Sequence, residues 1–97
     1  MYDIEYTLEA LEDLKRFRKY EQQLIADQID EQLSHEPAHE TRNRKRLRSN
    51  RVAEFELRIA KFRVFYEVDE NRNFVKIAAV GHKEGSRLFI RGKEYEL

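Results

Sequence analysis

The sequence predicts an α+β domain: an N-terminal strand and an αα-hairpin packed on an antiparallel β-sheet meander. Three observations predict it. Apolar residues recur every third or fourth position through residues 8–33. They alternate with polar ones through most of residues 53–80, and a polar stretch beginning at Pro37 separates the two patterns. A helical period followed by a strand period, each met once, places helices on one side of a sheet rather than between parallel strands.

Tyr2 to Tyr6 alternates and reads as a short strand with Tyr2, Ile4 and Tyr6 on one face. Thr7 offers a capping hydroxyl and Glu9 an acid for the first turn of a helix. Leu8, Leu11, Leu14 and Phe17 then predict an amphipathic helix over residues 8–19. Tyr20, Leu24, Ile25, Ile29 and Leu33 predict a second helix ending before Pro37, with the joint near Tyr20 and both stripes facing the core. Residues 37–50 carry no period and read as a polar connector. Ala53 to Ile59, Phe62 to Val68 and Phe74 to Val80 read as three strands, the last two separated by the polar turn 69–73. A final apolar run, Leu88-Phe89-Ile90, lies in the tail.

At 97 residues the chain forms one domain, residues 1–97, without a second core. There is no cysteine, so disulfides and thiolate–metal sites are excluded. His35, His39 and His82 make no ligand set, because Pro37 breaks the helical spacing of the first two; no metal and no cofactor are expected. No apolar run suits a membrane span or a secretory signal, so a cytoplasmic protein is expected. The zero net charge hides a split. Residues 1–41 hold eleven acids and four bases (−7), while residues 42–97 hold fifteen bases and eight acids (+7). Six of those bases fall within ten residues: Arg42, Arg44, Lys45, Arg46, Arg48 and Arg51. A basic run leading into a sheet is a candidate contact for an RNA backbone, against the plainer reading of a solvated loop.

The register of the meander indicates a site. A two-residue turn at Ala60-Lys61 pairs Ile59 with Phe62 and therefore Arg58 with Arg63. Across the next turn Val68 opposes Val75, Glu67 opposes Lys76, Phe65 opposes Ala78 and Arg63 opposes Val80. Arg58, Arg63, His82 and Lys83 then converge on one corner of the outward face. Facing arginines cost up to about 1 kcal/mol relative to a neutral pair, which suits a place where an anion comes and goes. Glu56, two residues from Arg58, is the internal group able to neutralise them. The same face carries Phe65, Phe74, Ala78 and Val80, so either the apolar tail or a partner protein covers it.

Leu57-Arg58-Ile59-Ala60-Lys61-Phe62-Arg63-Val64-Phe65-Tyr66 is similar to the "LR…YRvvY" hairpin of the RelE/ParE superfamily of bacterial type II toxins, and Val80-Gly81-His82-Lys83 to its "vGhR/K" strand end. The Leu-rich first helix and the basic connector complete a resemblance over nearly the whole chain. It implies a toxin neutralised by a cognate antitoxin, with Phe65, Phe74, Ala78 and Val80 as the expected antitoxin contacts. The RelE-like branch cuts messenger RNA on the ribosome; the ParE-like branch poisons DNA gyrase. Arg63 matches the hairpin arginine of the nuclease branch, Lys83 the basic residue after the strand end, and Arg58 a further basic position. Two lysine positions fall on Glu54 and Glu56, and the tail tyrosine position on Phe89, so the proton-transfer groups differ. Glu56 as base and His82 as acid are the replacements. The expected activity is a metal-independent endoribonuclease; a gyrase poison or an inactive binding module is the alternative.

Overall fold

The computed structural model describes all 97 residues. The chain forms β1 (Asp3–Tyr6), α1 (Leu8–Lys15), α2 (Lys19–Leu33), β2 (Arg44–Arg46), β3 (Phe55–Ile59), β4 (Phe62–Asp69), β5 (Phe74–Glu84), β6 (Arg87–Ile90) and β7 (Lys93–Tyr95). All strands join one sheet in the order β2-β3-β4-β5-β6-β7, with β1 parallel to β5. The two helices cover one face, giving the α+β architecture that the hydrophobic periods predict. No helix is long and apolar enough to cross a membrane.

Thr7 caps α1 as expected, its hydroxyl accepting from the Ala10 amide at 3.1 Å. α1 stops earlier than residue 19, because Arg18 adopts an extended conformation and starts α2, its amide donating to the Glu21 carboxylate at 3.0 Å. The core-facing stripe also differs from the prediction. Leu8 and Leu11 are exposed, as are Tyr20 and Leu24 on α2, whereas Ala10, Asp13, Leu14, Ile25, Ile29 and Leu33 are buried. A strict three-residue spacing drifts by about 60° per step on a helix of 3.6 residues per turn, so Leu8, Leu11, Leu14 and Phe17 cannot share one face. Spacing by four, as in Ile25, Ile29 and Leu33, stays on it.

The connector is not wholly irregular. Arg44–Arg46 pairs with Phe55–Leu57 as an edge strand that period analysis could not reveal in three consecutive bases. The Arg44 guanidinium donates to the carbonyls of Gln32 at 2.6 Å and Glu36 at 3.3 Å, satisfying the end of α2. Tyr66, fully buried, donates its hydroxyl to the Pro37 carbonyl at 2.9 Å, and burial pushes its phenol up to about 12.

β5 departs from the predicted register at one point. Val68 opposes Val75 and Glu67 opposes Lys76 as expected, but Tyr66 faces Ile77 and Phe65 faces Ala79. Ala78 is therefore an extra residue, a β-bulge, and everything beyond it is shifted by one. Val80 turns to the helix side, where it joins the main core with Leu57, Val64, Tyr66 and Ile77. Ala79, Gly81 and Lys83 take the outward positions. The strand also runs on to Glu84, long enough to hold β1 and then β6 along the same edge.

The tail covers the outward face. β6 and β7 form a hairpin that lays Leu88 and Ile90 on Phe65, Ala79 and Ala53 as a second core, with Tyr95 and Leu97 packed against it. Phe65 and Val80, expected as antitoxin contacts, are buried here: the chain's own hairpin covers the first, and the bulge turns the second inward. Ala78 and Phe74 remain half-buried.

Candidate functional site

Residues directly opposite in an antiparallel ladder share a face. Arg58 faces Arg63, and Arg63 faces Gly81, while Lys45 faces Glu56 and Glu56 faces Phe65. Farther along, Lys83 faces Leu88, which faces Tyr95. The outward face thus gathers Lys45, Arg58, Arg63 and Lys83 around one carboxylate, Glu56. The paired arginines expected from the tight Ala60-Lys61 turn are present.

Glu56 is buried beneath these bases, with Oε1 3.4 Å from Arg58 Nε. The Arg63 guanidinium folds back on its own turn, Nη1 donating to the carbonyls of Ala60 at 2.9 Å and Phe62 at 2.8 Å. Its Nε is buried without a hydrogen-bond partner. Burial holds this guanidinium below the ordinary arginine range; the Glu56 carboxylate works against that shift and the Arg58 charge adds to it. A cavity of about 340 Å³ opens beside Glu56, lined also by Lys83, Arg87, Glu94, Glu96 and Tyr95.

His82 does not belong to this corner. The bulge places it opposite Phe62 on the helix side, where its ring meets Phe17 edge-on at 6.1 Å and stacks on Phe89 at 5.7 Å. Its Nε2 lies 2.8 Å from the Glu84 carboxylate. Phe89, expected at a tyrosine position, also lies away from the outward face. The hydroxyl-bearing residue that lines the cavity is Tyr95, which the sequence alone does not single out. An alternating Leu88/Ile90 run followed by Arg91-Gly92 and then Tyr95 is the hairpin signal that points to it.

The basic connector divides by face. Lys45 stands on the outward face beside Glu56, while Arg44 is committed to the end of α2 and Arg46 lies over the Phe55 ring at 4.5 Å. Arg42, Arg48 and Arg51 are exposed. A larger concavity of about 510 Å³ near Phe55 and Phe74 carries Glu54, Glu67, Asp69 and Glu70 together with Arg46 and Lys76.

A family model described as "ParE toxin of type II toxin-antitoxin system, parDE" matches residues 4–86. Among solved structures, the chain is similar to one in the toxin–antitoxin complex RelBE2 from Mycobacterium tuberculosis, with 27% identity and a TM-score of 0.73 over 84% of this chain and 98% of that one. It shares its fold with a chain of the intact E. coli RelBE toxin–antitoxin complex at 18% identity and a TM-score of 0.60, covering 88% of this chain and 100% of that one. No curated protein sequence matches.

Proposed function

This chain belongs to the ParE toxin family of type II toxin–antitoxin systems; from its site we propose that it arrests growth by cutting messenger RNA on the ribosome, and that a cognate antitoxin neutralises it. The observation that carries this reading is the buried Glu56 carboxylate ringed by Arg58, Arg63 and Lys83, beside a cavity that Tyr95 also lines. Those are the groups that cleavage by a ribose 2′-hydroxyl requires. Glu56 takes the 2′-hydroxyl proton as the oxygen attacks the adjacent phosphorus. Arg58, Arg63 and Lys83 stabilise the charge of the phosphorane. Tyr95 gives a proton to the departing 5′-oxygen, leaving a 2′,3′-cyclic phosphate and a 5′-hydroxyl. His82 has no part in this scheme. Lys45, Arg42, Arg48 and Arg51 extend the positive field along the path of the RNA backbone.

Two observations favour a second reading, poisoning of DNA gyrase: the family model that matches is that of the ParE toxins, the branch expected to act on gyrase, and the Arg63 side chain is tied to its own turn. Arg63 already spends Nη1 on two carbonyls of its own turn, which suits a rigid protein-binding corner as well as a phosphate clamp. Purified protein added separately to translating ribosomes and to gyrase with supercoiled plasmid decides between them. Message cut in the first assay, with plasmid intact in the second, is the expected result; linearised plasmid with uncut message overturns the ribonuclease reading.

The antitoxin surface follows from exposure. Apart from Met1, the large apolar side chains left exposed are Leu8, Leu11, Tyr20 and Leu24, all on the two helices. An apolar segment of the antitoxin laid on that acidic helical face would cover them. Replacing Leu11 and Leu24 together by Glu is expected to weaken antitoxin binding by about 10²-fold without lowering toxicity. Unchanged affinity by calorimetry would place the antitoxin elsewhere.

A further inference from the structure

Along the β5 edge, β1 pairs as far as Ile77 and β6 resumes at His82, leaving Ala78–Gly81 without a strand partner on that side. Side chains fill the gap. The Thr7 hydroxyl donates to the Ala78 carbonyl at 3.3 Å, and Asp13 Oδ2 accepts from the Val80 amide at 3.0 Å. Asp13 is 1% exposed, in the middle of α1, where an acid is normally solvated. Its other oxygen, Oδ1, is buried without a hydrogen bond but lies 2.9 Å from Arg91 Nε as an ion pair, and Arg91 Nη2 reaches the Ala78 carbonyl at 3.4 Å.

Arg91 sits at the tip of the β6–β7 hairpin. Ile90 pairs with Lys93, so Arg91 and Gly92 form the two-residue turn, with φ of 54° and 75°. Positive φ at both central positions is the mark of a type I′ turn, whose first place usually goes to Asn, Asp or Gly. An arginine there accepts backbone strain. It also carries the long side chain that reaches Asp13.

We infer that Asp13 and Arg91 are positioning residues: their ion pair tethers the tip of the β6–β7 hairpin to α1 and so holds Tyr95 at the cavity beside Glu56 and Lys83. The tether joins an element of the helical layer to the one hairpin that closes the outward face. The ion pair and its coupling to hairpin order stand on geometry alone; the consequence for Tyr95 chemistry rests on the ribonuclease reading above. Arg91 is partly exposed while Asp13 is not, so loss of Arg91 leaves a buried carboxylate held only by the Val80 amide and the charge of Arg16, whereas Asn at 13 still offers an oxygen to the Val80 amide.

The test is native-state amide hydrogen exchange on the isolated protein, comparing D13N, R91A, R91K and the D13N/R91A double variant. In D13N and R91A, amides of β6 and β7 are expected to exchange about tenfold faster or more, while those in the centre of β3 and β4 keep their rates. R91K should recover part of the protection, and the double variant should add little to either single one. Unchanged hairpin exchange in D13N and R91A, or equal acceleration in every strand, overturns the inference; if R91A does not fold, D13N alone decides. No RNA enters this measurement. A protein with hairpin-selective exchange that cuts no message keeps the tether and loses the ribonuclease reading. If it does cut message, D13N should lower kcat in the parent and not in a Tyr95→Phe background.

Discussion

Replacing Arg63 and Lys83 together by alanine is expected to abolish growth arrest and to lower RNA cleavage by about 10²-fold or more, while leaving a folded protein. Both side chains stand on the outward face near Glu56, Arg63 opposite Arg58 and Lys83 lining the cavity. A planar guanidinium offers phosphate a fork of donors, and the ammonium adds a second charge for the developing phosphorane. Stability should change by no more than about 1 kcal/mol. The double variant gives up the bonds from Arg63 to two turn carbonyls and one long hydrogen bond from Lys83 to the Ser86 carbonyl, and it relieves the Arg58–Arg63 repulsion. The check is cleavage of a translated message beside a thermal melt of the same sample. Full cleavage by a normally folded double variant would remove this corner from the mechanism.

Gly81→Ala is expected to be the most damaging single-methyl change in the sheet. A β carbon at this position would lie 2.4 Å from the Phe89 carbonyl oxygen and 2.9 Å from Ile90 Cγ1. The nearer atom is backbone and cannot rotate away, so β6 must move off β5. That movement would lift Leu88 and Ile90 from Phe65 and Ala79. Overpacking of this kind costs about 2–3 kcal/mol, which lowers Tm by about 10 °C or more in a chain of this size. Calorimetry on the purified variant measures it directly. A Tm within about 3 °C of the parent would mean that β6 adapts to the extra methyl at little cost.

The parts of the fold legible in the sequence are those where one residue constrains the next. A two-residue turn forces Arg58 opposite Arg63, and alternation from Phe62 to Val68 fixes which side faces the helices. The bulge is not legible, since Ile77-Ala78-Ala79-Val80 offers two small residues in a row and no sign of where parity changes. Every residue of the strand beyond it changes sides: Val80 and His82 leave the outward face, and Ala79 and Gly81 take their places. The hairpin of β6 and β7 escapes because strands of four and three residues barely show a period. Asp13 escapes for a different reason. An acid on a helix reads as surface, and only the missing strand partner of Val80 explains its burial. In the candidate site, Glu56, Arg58 and Arg63 are legible from the register; Lys83 gains its outward place through the bulge, and Tyr95 requires knowing how the tail folds.

The pairing of β1 with β5 has a consequence for how the chain reaches this structure. Asp3 lies beside Phe74 and Tyr6 beside Ile77, a separation of 71 residues in each case (74 − 3 and 77 − 6). Closing so long a loop is entropically costly and must precede its reward, which slows assembly. During synthesis the first strand has no partner until β5 has emerged, and the second core has none until Leu88 and Ile90 follow. The nascent protein therefore carries no closed outward face until the β6–β7 hairpin has emerged.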